Sequence, residues 1–244
     1  MPTANLQYLH TSAPLWLSAL FICCTAATAA LLARALHRAD LPTRRYWLLV
    51  GVWLALQAVL AGAGFYQQSL EVLPPRLVVT GILPTVVVMM MVLLSGAGRR
   101  ATAHLPLADL AGVSVVRVGV EAGLYGLAAA HLVPELMTFA GRNFDVLAGL
   151  SAPVVAAFYR HGRLGRGGLL AWHLGSLVLL GTIVGLALLT APTPLQQLAF
   201  GQPNVAVVRF PFVWLATFIV PVVLFTHVAS LYLLWRPRPA PVAG

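Results

Sequence analysis

Residues 105–133 read LPLADLAGVSVVRVGVEAGLYGLAAAHLV. The run is longer than the ~20 residues a helix needs to cross a bilayer, yet Arg117 and Glu121 sit in its middle. A charge at the bilayer centre costs about 2.5–3.5 kcal/mol on insertion scales. The two residues are four apart, so on a helix they share one face and can neutralise each other. Ser114, Arg117, Glu121 and Tyr125 extend that face into a polar stripe, with His131 near its outer end. Lipid cannot satisfy such a stripe, so it is expected to face protein or a water-filled cavity. Gly119 and Gly123 form a GxxxG spacing that lets a neighbouring helix approach closely.

Working outward, the whole chain carries the same signature. Of 244 residues, 60% are hydrophobic and 9% charged, and the mean hydropathy is +0.89. A soluble domain carries roughly 25% charged residues, and one core could not hide this much apolar surface. The bilayer must act as part of the solvent. The net charge of +9 comes from 15 Arg and no Lys. These arginines fall in short gaps between apolar segments, which argues for topology signals rather than nucleic-acid binding. With no lysine, no Schiff base to retinal or pyridoxal phosphate can form. Cys23 and Cys24 are adjacent, and side chains at consecutive helical positions diverge, so no mutual disulfide is expected. Residues 1–12 lack a basic n-region, so the first apolar stretch is expected to be a retained helix.

Seven segments are expected to span, at about 13–36, 46–69, 76–97, 105–133, 143–160, 168–191 and 206–235. The predicted fold class is an all-α integral membrane protein, a seven-transmembrane-helix bundle forming a single domain over residues 1–244. Eleven arginines, Arg34, Arg38, Arg44, Arg45, Arg99, Arg100, Arg160, Arg163, Arg166, Arg236 and Arg238, fall on one side of that stack. Three, Arg76, Arg142 and Arg209, fall on the other. The positive-inside rule then puts the N-terminus outside and the C-terminus in the cytoplasm of a cytoplasmic-type membrane. Trp16, Trp47, Trp172 and Trp235 are placed as interfacial anchors near helix ends. Ser-Ala-Pro recurs at 12–14 and 151–153, and Pro84 and Pro221 each interrupt an apolar segment, a weak echo between halves.

The candidate site is the stripe and the polar groups above it. Arg117 is expected to attract an anionic or carboxylate group, with Glu121 holding it or carrying a coupling proton. Arg142, Asn143, Asp145 and Arg209 are expected to rim an outward-facing cavity over that pair. The competing reading makes Asn143 or Asp145, and Asn204, helix N-caps. Gln57, in a small-and-polar stripe with Ala61, Gly64 and Gln68, is deep enough to reach the Arg117–Glu121 pair. No metal and no cofactor is expected. His173 and His227, at matching depths, are the one alternative, as haem or metal ligands. No zinc, P-loop or nucleophile-elbow motif occurs.

The leading expectation is a small transporter or ligand-binding protein, in contact with lipid and a small anionic ligand. A membrane-embedded enzyme acting on a lipid-like substrate and a structural or assembly subunit of a membrane complex are the alternatives. The sequence specifies no oligomeric state.

Overall fold

The computed structural model describes residues 3–68 and 70–236. Arg238 lies outside them. Among the described residues every regular element is helical: α1 (Leu15–Arg38), α2 (Thr43–Gly62), α3 (Val78–Leu94), α4 (Gly96–Ala103), α5 (Leu107–Val113), α6 (Val116–Ala129), α7 (Val146–Arg160), α8 (Arg166–Thr190) and α9 (Leu215–Trp235). Four of them, α1, α2, α8 and α9, are long and apolar enough to cross a membrane. The bent pair α3–α4 makes a fifth candidate.

Helix ends follow from local chemistry. The chain leaves α1, α2, α6 and α7 through one left-handed residue each, Asp40, Gly64, His131 and Gly162. The amide after it returns to a carbonyl five residues back: Leu41 to Leu36, Phe65 to Leu60, Leu132 to Leu127 and Arg163 to Phe158. This is the Schellman closure, which satisfies carbonyls that helix ends otherwise orphan. It ends α2 at Gly62 rather than near 69, the boundary expected from hydropathy. The last span also starts later than expected, at Leu215 rather than 206, because Ala206–Val208 forms a separate 3₁₀ turn.

The expected segment 76–97 stops at Leu94, and Gly96–Ala103 turns away by 79° as α4. Ser95 caps the new helix, its Oγ accepting from the Gly98 amide at 3.1 Å. The segment 105–133 is likewise two helices. At Ser114 and Val115 the amides bond three residues back instead of four, a 3₁₀ tightening between α5 and α6.

Pro84 and Pro221 act alike. Each follows a π-type turn, Val78–Ile82 or Leu215–Ile219. Neither proline has an N–H to give the carbonyl four residues before it. Side chains from α2 reach those two carbonyls: Gln57 Nε2 donates to Thr80 O at 3.1 Å and Trp53 Nε1 to Thr217 O at 3.0 Å. Gln57 is therefore committed to α3, with Tyr66 donating to its Oε1 at 2.6 Å. The expectation that it bonds Arg117 or Glu121 is corrected by that geometry.

The α5–α6 pair occupies the middle of the bundle, packed on α1 and α7, with α5 also against α9. The predicted glycine contact is present on α6: a Cβ on Gly119 would stand 2.7 Å from Cys24 Sγ, and one on Gly123 2.5 Å from Phe21 Cε2. Large apolar side chains point outward instead of inward on the outer helices. Leu48, Leu49, Val52 and Val59 on α2, Leu83 and Met91 on α3, and Val178 on α8 are all more than half exposed. Exposed apolar surface this extensive is unfavourable in water and is compatible with helices facing lipid.

Candidate functional site

Arg117 and Glu121 point into the bundle, at 2% and 1% exposure. Their pairing differs from the expected one. Arg117 Nε donates to Asp145 Oδ2 at 2.7 Å, its Nη2 donates to Asp145 Oδ1, and the same Nη2 donates to the Ser176 carbonyl at 3.1 Å. Glu121 accepts instead from the Asn143 side-chain amide. The fork of a guanidinium fits a carboxylate best in this two-pronged way, and Asp145 approaches from the side that permits it.

The segment between α6 and α7 makes this approach possible. It is tied by its own backbone: Asn143 N bonds Thr138 O at 3.1 Å and Arg142 N bonds Leu136 O at 3.2 Å. Gly141 is required there, since a Cβ would fall 2.3 Å from the Glu135 carbonyl oxygen. Asn143 donates to Met137 O at 3.1 Å and accepts the Asp145 amide at 3.1 Å. Both side chains are thus turned inward, and both are buried. Asp145 occupies the N-cap position of α7 but makes no capping bond. Asn204, also buried, caps no helix. The Asp145 cap gives way to the ion pair with Arg117, and Asn143 accepts from the Asp145 amide instead of from an amide inside α7.

Among the described residues, two polar atoms of the cluster have no partner, Arg117 Nη1 and Glu121 Oε2. One guanidinium faces two carboxyl groups.

Other expected members lie elsewhere. Tyr125 is 51% exposed and stacks on Phe139 at 5.0 Å between ring centroids. Arg142 is exposed. Arg209 is partly buried and donates to the Thr11 carbonyl, tying the N-terminal segment down. Spacing placed these residues near the site, but their side chains leave it.

His173 and His227 meet, as their matched depths suggested. Their Nδ1 atoms are 2.7 Å apart, and His227 Nε2 lies 3.4 Å from Ser114 Oγ. A hydrogen bond between two imidazoles needs one protonated and one bare Nδ1. Two nitrogens on one zinc-like ion stand about 3.3 Å apart, given 2.0–2.1 Å bonds and tetrahedral angles. The pair is thus set for a hydrogen bond, and no group of three or more His, Cys, Asp or Glu side chains suited to a metal occurs among the described residues.

A cavity of about 400 Å³ adjoins the charged cluster. Arg117, Glu121 and Asp145 stand in its wall, and most of the remaining lining is aliphatic. One side is a row on α3, Val78, Ile82 and Val86; the facing side is a row on α8, Leu177, Gly181, Val184 and Leu188. Each row follows helical spacing and so presents one face. Both α3 and α8 pack on α9, but they are not principal partners of each other. The lining continues into the connections at the ends of these helices, with Pro75, Arg76, Pro192, Thr193 and Asn204. The cavity expected from the sequence was polar; the lining is instead mostly aliphatic. The apolar rows were hidden because aliphatic residues on these helices recur on every face.

No protein-family model matches the chain, and no curated protein or solved structure matches it.

Proposed function

We propose that this protein is an integral membrane protein of seven spans that binds an amphipathic, lipid-like small molecule in the cavity between α3 and α8. The observation that carries the reading is an aliphatic cavity with a partly unpartnered ionic cluster in its wall. Ligand sites commonly combine an apolar lining with a few polar groups that fix orientation. The apolar body would lie along the α3 and α8 rows. Its head would lie against the wall where Arg117, Asp145 and Glu121 stand, with Arg117 Nη1 and Glu121 Oε2, buried and without a partner among the described residues, turning to meet it.

Asp145 already answers the charge of Arg117, and Glu121 adds a second carboxyl. A neutral head bearing a carbonyl and a hydroxyl therefore fits better than the anionic ligand expected from sequence. The carbonyl accepts from Arg117, and the hydroxyl donates to Glu121. The arginine-rich ends of the helices support a cytoplasmic C-terminus.

Gly181 supplies the test. It lines the cavity, and a Cβ built on it meets nothing within 4 Å. Gly181→Trp should place an indole in the space between α3 and α8, starting from a Cβ that meets no neighbour. The measurement is competition by dioleoylglycerol against a pyrene-labelled diacylglycerol, on protein purified in detergent. The wild type is expected to bind, and Gly181→Trp to bind at least tenfold more weakly at unchanged thermal stability. Equal binding by the two proteins would exclude the cavity as the site. Conversion of the bound lipid in the same assay would move the reading to an enzyme.

A further inference from the structure

At the arginine-rich end of the bundle, Asp109 stands in the first turn of α5 with its side chain 1% exposed. Three guanidinium groups converge on it. Arg38 Nη1 lies 2.9 Å from Oδ1 and 3.0 Å from Oδ2, Arg160 Nη2 3.1 Å from Oδ1, and Arg34 Nη2 3.5 Å from Oδ1. Arg34 and Arg38 are one turn apart at the end of α1, and Arg160 is the last residue of α7.

Among the described residues no other acidic side chain pairs with any of the three. Three guanidinium charges and one carboxylate leave a surplus of two positive charges. Each arginine side chain remains 48–50% exposed, so Asp109 anchors one edge of each fork and leaves other N–H donors free. Gathered like charges repel unless an outside anion joins them, and guanidinium forks match phosphate oxygens.

What runs away from the cluster selects the source of that phosphate. On the α1 stripe that ends in Arg34 and Arg38, Cys23, Ala27 and Ala30 are exposed at helical spacing. These small side chains make a shallow apolar track leading to the arginines. A phosphate with acyl chains attached can use both parts, and a free phosphate only one. Basic pockets between membrane helices bind anionic head groups in this way.

We propose that Arg34, Arg38 and Arg160, held by Asp109, form a binding site for the phosphate of an anionic phospholipid. The site is separate from the α3–α8 cavity and does not depend on what occupies it.

The test uses the full-length protein purified in detergent and native mass spectrometry with dioleoylphosphatidylglycerol or dioleoylphosphatidylcholine. The wild type is expected to retain the glycerol lipid preferentially. Arg34→Gln with Arg160→Gln should weaken that retention roughly 10- to 30-fold, the effect of taking two arginines away from an anionic lipid surface. Arg38 stays in this variant, so Asp109 keeps a partner and the fold is not left with a stranded charge. If the double variant does not fold, Arg34→Gln alone should weaken retention about fivefold. Arg44→Gln with Arg45→Gln, two exposed arginines at the same end, should leave it unchanged. Equal retention of the choline lipid, or undiminished binding by the Arg34 variants, would overturn the proposal. So would displacement of the glycerol lipid by millimolar inorganic phosphate, which would mark a site for the free anion.

Discussion

At the scale of single residues, the consequence of the exchanged pairing is that the two carboxyls of the buried cluster are not equivalent. Asp145→Asn strands Arg117, and Arg117→Gln strands Asp145. Removing one partner of a buried pair costs about 3–5 kcal/mol, so both variants should unfold at much lower denaturant or temperature in detergent. Glu121→Gln keeps an oxygen for the Asn143 amide and should cost less than about 1 kcal/mol. Arg117→Gln combined with Asp145→Asn should recover much of the loss. A Glu121→Gln variant as unstable as Asp145→Asn would restore the pairing of Arg117 with Glu121. The burial of Arg117 and Glu121 was legible in the sequence because two charges in an apolar run have nowhere else to go. The partner was not. Asp145 lies 28 residues beyond Arg117, past an irregular segment whose path is set by Gly141 and by the hydrogen bonds of Thr138 and Asn143. Asp109 shows the same limit, since the three arginines around it come from other helices.

At the scale of elements, the glycines inside the helices separate into those that packing requires and those that it does not. Gly123 lies against Phe21, and Gly119 against Cys24, both on α1. Gly123→Val should force α1 and α6 apart and cost about 1–3 kcal/mol, as overpacking does. Gly51→Val on α2, where a Cβ meets nothing within 4 Å, should leave thermal stability within about 0.5 kcal/mol. Equal loss in both variants would mean that α1 does not sit on the α6 glycines. This contact was legible from spacing alone, because a GxxxG row has one physical use between apolar helices. The breaks inside the predicted spans were not. The tightening at Ser114 lies in sequence that is uniformly compatible with helix, and hydropathy averages across it; the glycines after Ser95 mark the end of a span but not the 79° turn that follows. Pro84 and Pro221 were visible as interruptions, but Gln57 and Trp53 as the side chains that compensate for them were not, since both belong to α2.

At the scale of the whole molecule, the arginine asymmetry is a statement about orientation. Reporter fusions after Gly98 and Arg166 should be cytoplasmic, and those after Pro74 and Pro194 outside. A clean reversal at any one of the four would overturn the seven-span reading. Class was legible throughout, because 60% hydrophobic composition in a chain of this length leaves few alternatives. The shape of the interior was not, since a cavity depends on which helices fail to pack, and composition is silent on that. Under the proposed function an occupant enters between α3 and α8, and this changes how it would be supplied. A molecule arriving that way never has to leave the hydrocarbon. Its search is two-dimensional, and saturation follows its mole fraction among the lipids rather than its molarity in water. Occupancy would then rise when the same amount of ligand is held in less membrane, and dilution with buffer alone would not empty the site.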